Sequence, residues 1–132
     1  MTPNTKPIFV LTPHLGIAQI ATANTNRDGT GTLATVLTAT PNGTRINIIV
    51  IKAIGTTTAG MVRLYIDDGA SNIRLWREFL ITAKTPSSTV AAYEYILYLQ
   101  GEAALILPSG YMLKASTAKA ETFNIFAFAG DY

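Results

Sequence analysis

Residues 61–81 read MVRLYIDDGASNIRLWREFLI and carry the plainest structural message in the chain. Two runs rich in Val, Ile, Leu, Tyr, Phe and Trp flank Asp68-Gly69-Ala70-Ser71-Asn72. Branched and aromatic side chains suit a pleated, half-buried surface. An Asp-Gly pair between such runs is a strong hairpin signal, because glycine supplies the positive φ that the turn needs. Residues 61–67 and 73–81 are therefore predicted to be adjacent antiparallel strands.

The same pattern extends outward. Pro41-Asn42-Gly43, Thr85-Pro86-Ser87 and Pro108-Ser109-Gly110 supply further turn chemistry. They separate short apolar runs, which predicts strands over 15–22, 32–39, 45–54, 90–99, 111–116 and 123–129 as well. Short strands at this spacing mark a sandwich or barrel. Residues 87–99 contain no Gly or Pro and could form a helix, but Tyr93, Tyr95, Leu97 and Leu99 alternate with period two, which favours a strand. The expected fold is all-β: an antiparallel β-sandwich, a jelly roll of about eight strands. The competing architecture is an immunoglobulin-like sandwich.

Residues 1–14 read differently. Pro3, Pro7 and Pro13 hold them extended and out of a central strand. The expected organisation is an extended N-terminal arm over 1–14 and one sandwich domain over 15–132. Pro7, Ile8, Phe9, Val10 and Leu11 give the arm an apolar patch to bury against a partner.

Composition narrows the function. Of 132 residues, 48% are hydrophobic and only 14% charged, against about 25% charged in a typical soluble domain. The longest apolar run, 46–54, is interrupted by Asn47 and Lys52 and falls far short of the roughly 20 residues of a spanning helix. No secretory leader is evident at the N-terminus, and no membrane partner is expected. The chain has no cysteine, which excludes disulfides and thiolate metal sites.

The apolar residues occupy both faces of several strands. With strict alternation, Ile46, Ile48 and Val50 share one face of 45–54, and Ile49 and Ile51 the other. Likewise Ile96 and Tyr98 oppose Leu97 and Leu99, Phe126 and Phe128 oppose Phe123 and Ile125, and Trp76 opposes Leu75 and Phe79. Each large apolar side chain contributes roughly 1.5–3 kcal/mol when buried. Leaving several wet forgoes a large part of a domain's net stability. Ile49, Ile51, Trp76, Tyr98, Phe126 and Phe128 are thus the candidate oligomer interface. Loops folded over these faces, or a bulge that shifts the register, are the alternatives.

Chemistry has few carriers. His14 is the single histidine and lies in the arm, a poor platform for a catalytic base. Asp67-Asp68-Gly69 lacks the spacing of a calcium loop and is explained by its turn. Gly55 to Gly60 lacks the Gly-Lys-Ser/Thr ending of a phosphate loop. Arg63, Arg74 and Arg77 with Tyr65 and Trp76 could face a nucleic acid, but Arg74 and Arg77 fall on opposite sides of their strand. Surface aromatics could also stack on sugars. No enzyme activity, cofactor, metal or direct nucleic-acid contact is expected.

Residues 55–78, GTTTAGMVRLYIDDGASNIRLWRE, together with Leu107-Pro108-Ser109-Gly110-Tyr111, Lys114-Ala115-Ser116-Thr117 and Ala120-Glu121-Thr122-Phe123-Asn124, resemble a family of small virion proteins from the structural gene blocks of tailed bacteriophages. The resemblance runs from Gly31 to the C-terminus. It implies a capsid decoration, or cement, protein: a jelly roll that sits as a homotrimer on the head surface, contacts the major capsid protein or another virion protein, and resides in the virion after assembly in the host cytoplasm. It also allows a tail, fibre or baseplate component, and the sugar-binding sandwich remains a further alternative. The family brings no catalytic residues to carry over.

Overall fold

A computed structural model describes residues 9–99 and 101–132. The described residues form nine strands: β1 Thr12–Ile20, β2 Ala34–Thr38, β3 Thr44–Ala53, β4 Gly60–Asp67, β5 Ile73–Ile81, β6 Glu94–Tyr98, β7 Leu105–Leu107, β8 Met112–Thr117 and β9 Phe123–Asp131. One sheet has the order β1-β9-β3-β6, with the short β7 also paired to β3; the other has the order β2-β8-β4-β5. All strand pairings are antiparallel.

The order follows from nested pairs. β4 pairs with β5, β3 with β6, β2 with β8 and β1 with β9. Folding such a nested ribbon onto itself gives two Greek keys and a jelly roll. The expected all-β jelly roll is what forms, with β7 as a ninth strand. The Asp-Gly turn forms where its chemistry places it: Asp67 accepts from the Gly69 amide at 2.8 Å, and Asp68 from Ala70 and Asn72 amides at 2.8 and 3.1 Å. Both carboxylates are occupied by the turn and by Lys114, whose Nζ lies 3.1 Å from Asp67.

The core lies between the sheets. Ile46, Ile49, Ile51, Leu64, Leu113, Phe123 and Ile125 are fully buried there. Gly16 on β1 lies tight against β2: a Cβ on it would fall 2.5 Å from the Val36 carbonyl oxygen.

The first strand starts earlier than expected. Thr12, Pro13 and His14 belong to β1, where they pair with Asp131, Gly130 and Ala129. Pro13 is tolerated because β1 is an edge strand. Leu11 extends the ladder, its amide donating to the Asp131 carbonyl at 2.7 Å.

Candidate functional site

The two outer faces of the sandwich differ. On the β2-β8-β4-β5 sheet, the connection over residues 21–33 lies across the outer face. The Arg63 guanidinium, 4% exposed, donates to Glu78 at 2.9 Å and to the Asn24 carbonyl at 3.3 Å. Tyr65 is fully buried and its hydroxyl donates to the Asn26 carbonyl at 2.8 Å. Arg27, within the connection, also pairs with Glu78. These two arginines, through their hydrogen bonds and charge, hold the Glu78 carboxyl below its ordinary value. The basic-aromatic face considered for nucleic acid therefore does not form: Arg63 and Tyr65 are sealed under the protein's own loop.

The outer face of the β1-β9-β3-β6 sheet has no such cover from the described residues. The registers line its side chains up in rows across all four strands. Leu15 pairs with Phe128, Phe128 with Ile48, and Ile48 with Tyr98. The next row is Ile17, Phe126, Val50 and Ile96. Both rows are wholly apolar apart from the Tyr98 hydroxyl. Leu15, Ile17, Tyr98, Ile96 and Phe128 are exposed, while Phe126, Ile48 and Val50 on the two central strands are half-buried by their neighbours. Ile106 on β7, 55% exposed, extends the patch at one end.

A polar row closes the other end: Gln19, Asn124, Lys52 and Glu94. Gln19 donates to Asn124 at 2.9 Å, and Lys52 donates to the Ala92 carbonyl at 3.1 Å. The row thus sets a cation beside an anion on adjacent strands.

This face corrects part of the expected interface. Tyr98, Phe126 and Phe128 lie on it. Ile49 and Ile51 do not; both are fully buried between the sheets. The cause is a bulge in β3 between Ile46 and Ile48, which leaves Asn47 as an extra residue against β9. One extra residue inverts the inside-outside alternation. Ile46 and Ile49 then both point inward, and Ile48 and Val50 turn outward. Trp76 is absent from this face because its strand, β5, belongs to the other sheet. A register shift opposite Leu64 and Tyr65 leaves it as the extra residue of β5, half-buried against the core, with the Arg77 guanidinium 5.2 Å over its ring. Leu15, Ile17, Ile48, Val50 and Ile96 complete the face and were not among the expected residues. The alternation of Leu15, Ile17 and Gln19 was the available signal; the bulge at Asn47 had none.

The arm residues fall into three groups. Pro7 and Ile8 lie outside the described residues. Val10 packs over Gly130, on whose outer side a Cβ would fall 2.7 Å from the Val10 Cβ. Phe9 and Leu11 flank it at 74% and 82% exposure.

His14 reaches Asp131, with Nδ1 2.8 Å from Oδ1, and the Thr44 hydroxyl donates to the same oxygen at 2.7 Å. The hydroxyl meets the carboxylate rather than the imidazole, which is not the nucleophile-base-acid order of a triad. Among the described residues, no group of three or more His, Asp or Glu side chains is placed to hold a metal ion. Neither a protein-family model nor a curated protein matches this chain.

Proposed function

We propose that this protein is a structural component of a tailed-bacteriophage particle, a capsid decoration protein that assembles as a homotrimer and cements the head surface. It acts by burying surface across joints rather than by catalysis. The observation that carries the reading is the asymmetry of the sandwich: one outer face is partly covered by the protein's own loop, and the other presents two unbroken apolar rows. An apolar patch of this kind marks an interaction surface. A further copy fits it because the bordering row carries both charges: Lys52 of one copy can meet Glu94 of the next around a closed ring. The assignment to a virion rests on the resemblance of residues 55–78 and the segments after them to small phage virion proteins.

The solution mass tests the assembly. The unaltered chain is expected to run as a trimer at micromolar concentration, and Phe126→Lys as a monomer with the same circular dichroism. A monomeric unaltered chain would remove the basis for the reading. Imaging of particles carrying the tagged chain tests the address: density on the head is expected, and density on the tail would assign it there instead.

A further inference from the structure

Resting on the reading that the outer face pairs copies, we infer that the segment Phe9-Val10-Leu11 of one copy docks in an apolar groove at the sandwich end of the next copy. The groove has a volume of about 420 Å³ and is lined by Pro41, Gly43, Ile106, Leu107, Pro108 and Tyr132, among others. That volume lies within the range of about 300–1,000 Å³ typical of ligand-sized pockets.

The apolar face is small for an interface on its own. It spans four strands about 4.8 Å apart and two residue rows about 6.8 Å apart, a footprint of roughly 260 Å². A stable interface buries about 800 Å² per partner. The face alone therefore supplies about a third of this area, and further apolar surface must be recruited. The groove is the surface next to it, because Ile106 belongs both to the face and to the groove wall.

The N-terminal segment supplies the matching apolar side chains. Phe9 and Leu11 are among the most exposed large apolar side chains of the described residues, at 74% and 82%. Both are presented rather than loose. The Leu11 amide is bonded to the Asp131 carbonyl, and Val10 is seated on Gly130. Gly130 has no side chain there, and that gap is what lets the segment cross the sheet. Neither Phe9 nor Leu11 lines its own groove, so the surface each would fill is on another copy. A contact between an arm and a different patch on the neighbour is heterologous, and a rotation that closes makes it a ring.

The chain has no cysteine, so introduced thiols report the contact cleanly. Chains carrying Phe9→Cys are mixed with differently tagged chains carrying Ser109→Cys, a groove residue, and oxidised mildly. A covalent pair of the two tags is expected, at least tenfold above a control in which Thr89→Cys replaces Ser109→Cys. No excess over the control, with the mixture still oligomeric by mass, would overturn the docking and leave the face reading standing. A monomeric mass would overturn both. Crosslinking confined to single chains carrying both Phe9→Cys and Ser109→Cys would also overturn it, by placing each arm in its own groove.

Discussion

His14 Nδ1 and Asp131 Oδ1 lie 2.8 Å apart and join the first strand to the last. Burial alone would raise the Asp131 carboxyl. The hydrogen bonds from Thr44 and His14 and the adjacent imidazole outweigh that and leave it below its ordinary value. A carboxyl whose folded value is depressed contributes stability that is present above its unfolded value, near pH 4, and is lost as pH falls through the folded value. Asp131→Asn is expected to cost about 1–2 kcal/mol at pH 7. It should also flatten the fall in melting temperature below about pH 4, measured by circular dichroism across a pH series.

Glu78 bridges the loop over 21–33 to the sheet beneath. Its removal leaves the buried Arg63 guanidinium without its carboxylate. Glu78→Gln is expected to cost about 2–3 kcal/mol in denaturant unfolding, less than for a fully buried pair, because the Glu78 side chain keeps 29% exposure. An unchanged midpoint would mean that the loop is held without this pair.

Neighbouring isoleucines should behave oppositely. Ile49 is fully buried, and Ile49→Ala is expected to cost about 2–5 kcal/mol. Ile48→Ala should cost under about 1 kcal/mol in the isolated chain, measured in dilute solution, while weakening association at higher concentration. Equal losses at the two positions would contradict the bulge at Asn47.

Gly16→Ala places a methyl group 2.5 Å from the Val36 carbonyl and 2.8 Å from the Leu37 Cβ. The first contact is backbone and yields only if the sheets separate. The expected cost is about 1–3 kcal/mol, the usual range for overpacking, read as a lowered denaturation midpoint.

The architecture was largely legible because it is written in local signals. Eight predicted strands form where the turn residues and branched runs place them, and only the three-residue β7 escaped, being too short to show a period. The two-faced strands were legible as well, since Phe126, Phe128, Tyr98 and Ile96 do emerge on the outer side. The failure was one of parity. Asn47 contributes an extra residue whose effect depends on its partner strand β9, and nothing in residues 45–54 announces it. The loop over 21–33 escaped for a related reason: what it covers is decided by Arg63 and Tyr65, about forty positions later.

β9 sits between β1 and β3 although it follows all the other described strands in sequence. During synthesis, therefore, β1 and β3 wait without their shared neighbour. Phe126 and Phe128 complete the apolar rows only when β9 inserts. The two apolar rows therefore cannot be complete before the last strand is in place, and whatever contact they offer belongs to the folded chain alone.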